Sequence, residues 1–537
     1  VKFVYPLLVV LLTVFAVAPL EYPGAFQSHT GLLAYYNLID LDQNPLQVFN
    51  WAPVVGSTFE LFRTDGALPY LIAGIFHLVG FSYLDSIKLV YALAWITSGL
   101  TMYALARRFF TDNGALLSAI VYVYIPFHIA TIYVRGAFAE SIAWALMPLI
   151  LFSLLKTQTI GNRLPSADCL LLTALLFLTQ PGIAISFSIF AFVLATIISG
   201  RRSSVASQML VGLLVGALLY LPTLLRYGIS FSRDGFNADF VYPFQIFSAL
   251  WGFGTSTGNY LDQFPLQLGV VPIGLAIVAV ALAWQTERNG ERERYGERSL
   301  RRTIIIFISA AIVVAMLTFE IASPLWNLLG IFVTSPWQIL AFAGCALAIV
   351  AGSVIDLDER FARPAMLAFF VALPIVASYS YLAPRFIDVR PTRPAIAFFN
   401  HNEIALLDYR IVGPLRHGAT LRLHLTWQAL RPIDFDYTMF VRAVHDDGKT
   451  YGQSDAKPRD GESPTLKWTP GQVITDTHTI QIDVDGPTEG YHIEFGMYNA
   501  ATGRRALTET GADSISLPRP GDPEPIISEQ LPPQKKP

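Results

Sequence analysis

Charge is scarce in this sequence. Asp, Glu, Lys and Arg make up 14% of its 537 residues while 53% are hydrophobic, against about 25% charge in an ordinary soluble domain. That excludes a soluble globular protein, and the length excludes a single domain. Cysteine is nearly absent: Cys169 and Cys345 both lie in apolar segments, so there is no disulfide framework and no zinc-ligand spacing. Basic blocks are missing too. The net charge is −3, which excludes nucleic acid as a partner. No glycine-rich phosphate loop, dinucleotide fingerprint or HExxH pair occurs. With no site for a soluble nucleotide, a substrate already dissolved in the membrane is the economical inference.

What is present is a series of apolar runs: 4–20, 86–106, 113–132, 138–156, 167–180, 182–199, 206–226, 266–285, 303–320, 335–355 and 364–383. They predict a polytopic α-helical membrane protein with about 11 transmembrane helices, because a span needs about 20 apolar residues. The pair 167–180 and 182–199 is short, and its members need not each cross. Ala16-Val17-Ala18 has the form of a leader-peptidase site, but Pro19 follows it; the first run is expected to remain as a helix. Residues 67–82 are apolar yet short, with Pro69 and two glycines, and read as a helix lying along the interface.

Basic residues set the expected orientation. Lys2, Arg107, Arg108, Lys156, Arg201 and Arg202 fall in loops on one side, with Arg301 and Arg302. Only Arg63, Lys88, Arg135, Arg226 and Arg233 fall on the other before the last helix. The first side is cytoplasmic by the positive-inside rule, which puts the N-terminus inside and residues 21–82 outside. Counting 67–82 as a span would invert every later loop and destroy the bias.

After residue 384 the pattern changes. Residues 385–517 alternate polar and apolar, as in ALLDYRIV (405–412) and TLRLHLTWQA (420–429), with a hairpin signal at Asp446-Asp447-Gly448. They predict an extracytoplasmic antiparallel β-sandwich. Its aromatics Trp427, Tyr437, Trp468 and Tyr491 are either core or sugar platforms. Residues 518–537 are proline-rich and read as a disordered tail.

Chemistry concentrates in one layer. Residues 131–141, TIYVRGAFAES, place Arg135 and Glu140 between two apolar helices. Charge beside a bilayer is costly unless paired or wet, so this hinge is either a polar pocket or an ion pair anchoring two helix ends. The acids Glu60 and Asp65, with His29, lie in the first outer loop; Gln180 sits in a kink, and Trp337 and Gln338 open the tenth run. Such a layer suits transfer between a lipid phosphate and a water-soluble acceptor. A carboxylate would act as general base, and arginine or a carboxylate-held divalent ion would neutralise the leaving phosphate. Taken singly, each carboxylate is also consistent with a solvated or capping group.

The arrangement resembles the C-type (GT-C) glycosyltransferase superfamily, membrane enzymes that take sugars from polyprenyl-phosphate carriers. Closer likeness is to bacterial membrane proteins bearing a pyruvoyl-tetrahydropterin-synthase-related label. It rests on Asn50-Trp51-Ala52-Pro53 with Asp65-Gly66 and Leu68-Pro69-Tyr70, on 133–140 (YVRGAFAE), and on 335–340 (SPWQIL). LTWQAL (425–430), GQSDAKP (452–458) and YNAATGRR (498–505) in the β-domain add to it. The resemblance implies a hexosyl- or pentosyl-transferase moving sugar from a polyprenyl-phosphate donor to an extracytoplasmic glycan, lipid or protein. It implies Asp65, Glu60 and Glu140 as catalytic acids, and Arg135 on the donor phosphate. His29, Gln180, Trp337 and Gln338 would contact substrate, with magnesium or manganese as the conceivable metal. The superfamily usually carries an aspartate after the first helix, where this chain reads Gln27-Ser28-His29-Thr30-Gly31. Related chains often have histidine at the position of Gln180 and arginine at that of Gln338. The alternative is therefore a GT-C-like scaffold or lipid-carrier-binding protein that has lost catalysis. A transporter fits less well, since no internal repeat is evident.

Overall fold

The computed structural model describes residues 3–22, 24–30, 32–45, 65–160, 167–199, 202–227, 236–253, 256, 258–262, 264–288, 295–330, 332–386, 389, 391–400, 403–433, 435–508 and 512–517. The chain divides into two compact units, 1–385 and 386–537.

The first unit is helical. Its helices are α1 (Val4–Val17), α2 (Leu33–Gln43), α3 (Leu68–Val79), α4 (Tyr83–Ala106), α5 (Asp112–Tyr124), α6 (Pro126–Tyr133), α7 (Phe138–Ile160), α8 (Ala167–Thr179), α9 (Pro181–Ser199), α10 (Arg202–Leu219), α11 (Leu221–Tyr227), α12 (Val270–Arg288), α13 (Tyr295–Leu317), α14 (Ser323–Leu329), α15 (Leu340–Gly352), α16 (Val354–Leu357) and α17 (Pro364–Ser378).

All eleven apolar runs fall on helix, but eleven crossings do not follow. Among the described residues seven helices are long and apolar enough to span, or eight if α5 and α6, bent by 43°, form one broken span. The segments Ala167–Thr179, Val205–Leu219 and Val270–Gln285 are shorter. Proline ends several runs early. Pro126 and Pro181 each open a new helix, because a ring without an N–H cannot sit in a helix interior at no cost.

α3 has 12 residues, roughly 18 Å at 1.5 Å per residue, too short for a hydrocarbon layer of about 30 Å. Pro69, Tyr70 and Ala73 are buried, whereas Leu71, Ile75, Leu78 and Val79 are exposed. One face packs on protein and an equally apolar face is exposed. α2 was not legible in the sequence, its apolar residues being interspersed with Asn37, Asp40 and Asp42.

α7 and the 336–355 segment lie at the centre. Every residue of 336–355 is buried, and the small side chains of α15 let neighbouring helices approach closely. Fewer than a third of the residues in the apolar windows of α1, α13 and α17 are buried.

The second unit holds two four-stranded antiparallel sheets. Its strands are β1 (Ala397–Phe399), β2 (Ile404–Val412), β3 (Thr420–Ala429), β4 (Tyr437–His445), β5 (Thr450–Ala456), β6 (Val473–Gln481), β7 (Tyr491–Asn499) and β8 (Ile515–Leu517). The orders are β1-β2-β3-β6 and β5-β4-β7-β8. Strict alternation along β6 buries Ile474, Asp476, His478 and Ile480, so one face of each sheet meets the other. Trp427 of β3 lies edge-on to Phe495 of β7, with ring centroids 6.0 Å apart. Trp427, Tyr437, Trp468 and Tyr491 are all at most 3% exposed. They are core, not sugar platforms.

Trp427→Ala therefore removes the largest side chain shared by the two sheets. The expected loss is about 3–5 kcal/mol, read as faster hydrogen exchange across β3, β6 and β7 in the full-length protein. Unchanged exchange there would contradict the two-sheet core.

Candidate functional site

The hinge between α6 and α7 is built by a backbone reversal. Arg135 N donates to Ala130 O, and Ala137 N donates to Thr131 O, which closes α6 and launches α7. Gly136 takes φ +62°, the left-handed region that glycine enters without steric cost. A Cβ there would lie 2.4 Å from Ser28 Oγ. The tight fit has a purpose: His29 N donates to Val134 O, Thr30 N to Arg135 O, and Thr30 Oγ1 to Gly136 O. Tyr91 OH of α4 also donates to Gly136 O. The segment without an acid, Gln27–Thr30, thus serves as a backbone splint for the hinge.

Arg135 and Glu140 form a bidentate ion pair: Nη2 donates to Oε1 at 2.5 Å and Nη1 donates to Oε2. Each residue is 7% exposed. Gln338 Nε2 donates to Glu140 Oε1 at 3.2 Å, and Gln338 Oε1 accepts from Thr334 N and Ser335 N. The guanidinium carbon of Arg135 lies 4.5 Å from the centroid of the Trp337 ring, a cation–π contact. Phe264 packs on the same indole, centroids 4.9 Å apart, and stacks on His29 at 5.3 Å. Elements far apart in sequence are therefore tied to one guanidinium. Of the two arrangements the sequence allowed, a polar pocket or an ion pair anchoring two helix ends, the structure shows an ion pair, and it is buried.

Asp65 is brought to the same cluster by backbone docking. Gly66 N donates to Thr179 O at 2.7 Å, and a Cβ on Gly66 would lie 1.9 Å from Leu178 O. Only glycine permits that approach. Asp65 Oδ2 accepts from Tyr70 OH at 3.2 Å, and Tyr70 in turn accepts from Asn37. The carboxylate also lies near the Ala139 N–H at the start of α7, which favours its charged form. Asp65 is half-buried. Burial, and then the nearby Glu140 charge, push its carboxyl up to about 6 from an ordinary 3.8.

Gln180, 6% exposed, follows Thr179 at the α8–α9 break. The structure thus brings together Asp65, Arg135, Glu140, Trp337 and Gln338. Gln180 sits one residue from the backbone contact that seats Asp65, and His29 is on the far side of Phe264. Glu60 lies outside the described residues. Sequence reasoning missed Tyr70, Tyr91 and Thr30, whose hydroxyls are read as ordinary interface residues until the chain is folded.

A divalent cation does not fit the described residues. Among them no group of three or more His, Cys, Asp or Glu side chains gathers to hold a metal ion. Glu140 has both oxygens committed to Arg135 and Gln338, leaving Asp65 as the uncommitted carboxylate of the cluster among the described residues, whereas hard divalent ions want several oxygen ligands. No step below is routed through a metal.

Residues 65–385 match the family model of the 6-pyruvoyl-tetrahydropterin synthase related domain, a membrane protein. No curated protein sequence matches the chain. Among solved structures the chain is similar to an oligosaccharyltransferase of Archaeoglobus fulgidus in complex with Zn and sulfate, with 16% identity, TM-score 0.37, and coverage of 70% of this chain and 52% of that one. It is similar to AglB of the same organism with an inhibitory peptide and a dolichol-phosphate, with 13% identity, TM-score 0.40, and coverage of 71% and 56%. It is also similar to ArnT of Cupriavidus metallidurans bound to undecaprenyl phosphate, with 15% identity, TM-score 0.40, and coverage of 71% and 70%. The chain spans little more than half the length of the oligosaccharyltransferase chains it matches.

Burial of the ion pair changes what alanine variants report. Removing one member leaves an uncompensated buried charge, a loss of about 3–5 kcal/mol. Arg135→Ala and Glu140→Ala are thus expected to lower the melting temperature as well as any turnover. The double variant Arg135→Met with Glu140→Met should be more stable than either. A double variant no more stable than the singles would contradict a coupled pair. Gly66→Ala should also unfold at lower temperature, since its Cβ meets backbone that cannot rotate away.

Proposed function

The chain belongs to the 6-pyruvoyl-tetrahydropterin synthase related family of membrane proteins, and from that premise we propose that it is a glycosyltransferase. It would move a sugar from a polyprenyl-phosphate donor to a hydroxyl acceptor on the extracytoplasmic side. The observation that carries this reading is the juxtaposition of a half-buried carboxylate, Asp65, with a guanidinium held rigid beside the same helix N-terminus.

The division of labour follows from the contacts. Asp65 takes the proton of the acceptor hydroxyl as its oxygen bonds to the anomeric carbon. The bond from that carbon to the phosphate oxygen breaks, and the leaving polyprenyl phosphate keeps the electron pair. Arg135 spends two N–H groups on Glu140; a guanidinium has five, so three remain for the phosphate. Glu140 and Trp337 fix the plane of that guanidinium, which spares reorganisation at the moment charge develops. Arginine and lysine bias in the loops supports an extracytoplasmic hinge and a cytoplasmic N-terminus.

A second reading has its own support. The stretch Gln27–Thr30 carries no acid and is consumed in bracing the hinge. A chain that binds the lipid carrier without transferring sugar would keep that geometry.

The test is turnover of labelled polyprenyl-phosphate sugars by the purified full-length protein in lipid. Asp65 acts ionised, and its ionised fraction falls as pH drops through about 6, so kcat/KM should decline on the acid side with an apparent pKa near that value. Because Glu140 contributes to the shift, this pKa belongs to the cluster. Asp65→Asn should lose about a hundredfold or more and lack the acid limb. Folding raises this carboxyl, so its contribution to stability is fully present at low pH and is lost as pH rises toward 6. Wild-type binding of the carrier with no transfer of any sugar would favour the second reading.

A further inference from the structure

Among the buried polar atoms with no hydrogen-bond partner are Trp337 Nε1, in the cluster, Gln180 Oε1, next in sequence to the residue that seats Gly66, and Asn37 Oδ1, on the far side of Tyr70. Trp337 and Gln180 are 8% and 6% exposed. A buried polar group left unpaired costs about 1–3 kcal/mol, and native proteins keep few of them. Trp337 and Gln180 both lie around the one cluster already assigned to chemistry. Trp337 carries Arg135 over its ring, and Gln180 adjoins Thr179, whose carbonyl seats Gly66 next to Asp65.

Trp337 Nε1 and Gln180 Oε1 differ in kind. An indole N–H can only donate, so its missing partner is an acceptor. An amide oxygen can only accept, so its missing partner is a donor. A phosphodiester offers acceptors and no donor at neutral pH, while a sugar offers hydroxyl donors. We infer that Trp337 Nε1 donates to the carrier phosphate beside Arg135, and that Gln180 Oε1 accepts from a hydroxyl of the transferred sugar beside Asp65. This deepens the transferase reading and rests on it for the sugar half. It sets the polarity of the ligand, with phosphate toward the Arg135 and Trp337 end and sugar toward the Asp65 and Gln180 end. It also makes Gln180 a specificity residue: a carrier whose sugar lacks the matching hydroxyl leaves the amide oxygen unpaired and binds no better than the bare carrier.

The same chemistry on Trp337 could be met by a free phosphate ion, so the test carries both sources. Full-length protein in lipid nanodiscs is titrated with undecaprenyl phosphate and, separately, with inorganic phosphate. The proteins compared are the wild type, Trp337→Phe and Gln180→Met. Trp337→Phe keeps an aromatic ring under Arg135 but deletes the donor. It should weaken undecaprenyl phosphate binding about tenfold or more, as loss of a hydrogen bond to a charged group does. Gln180→Met, close in size, should leave binding of bare undecaprenyl phosphate unchanged and raise KM for the sugar-charged carrier.

Equal affinity of wild type and Trp337→Phe for undecaprenyl phosphate overturns the phosphate assignment. Should Trp337→Phe fail to fold, Gln180→Met still decides the sugar half: an unchanged KM for the charged carrier overturns it. Binding of inorganic phosphate as tight as that of the lipid phosphate overturns the lipid carrier as source. Wild-type binding that depends on Trp337, with no sugar transfer, rejects the transferase reading and retains the phosphate contact.

Discussion

One buried ion pair governs the membrane unit. A lone guanidinium at this depth would be untenable, because desolvating a charge costs several kcal/mol even after relaxation. Glu140 makes it tenable by bidentate contact, Gln338 satisfies the carboxylate further, and Trp337 covers the guanidinium face. Glu140 is local to the hinge, whereas Trp337 and Gln338 are neighbours in a stretch 198 residues beyond Glu140. The pair therefore needs α7, the α6 hinge and the turn before α15 to be in register before it can exist at all. It is weak evidence of net stability and strong evidence of a specified geometry.

That geometry explains the odd features around it. Glycine stands at 136 because the chain must reverse where Ser28 and Thr30 press against it, and at 66 because it lies on the backbone of α8. Gln338 is a neutral residue with two tasks, capping the turn at Thr334 and Ser335 while steadying Glu140. A cation there would compete with Arg135 for Glu140. With Gln338 neutral, Glu140 pairs with Arg135, and Asp65 is a further, half-buried carboxylate among the described residues of the cluster. Burial, and then the residual charge of Glu140, hold its proton to higher pH than usual.

Much of the fold was legible in the sequence. The apolar runs are helices, residues 68–79 form the short helix α3, and the alternating segments after 384 pair as two sheets. The hinge announced itself because charge is so rare in this chain. What sequence could not give is long-range. The pairing of 28–30 with 134–136 is made by backbone atoms that every residue has. The seat of Gly66 on α8 depends on a carbonyl, not a motif. Fewer than eleven of the runs are long enough helices to span on their own among the described residues, because hydropathy does not register where proline ends one helix and starts another. The β-domain tryptophans are ambiguous in sequence, since a core and a sugar platform both want large flat side chains.

The central claim is that the rigid guanidinium of Arg135 is a phosphate site and not merely an anchor for two helix ends. The most direct measurement is a cryo-EM structure of the full-length protein in nanodiscs with undecaprenyl phosphate. The account predicts phosphate density within hydrogen-bond distance of Arg135, with Glu140 still paired and Asp65 facing the side where a sugar would lie. Density for the carrier elsewhere, with the Arg135 guanidinium still enclosed by protein alone, would contradict it.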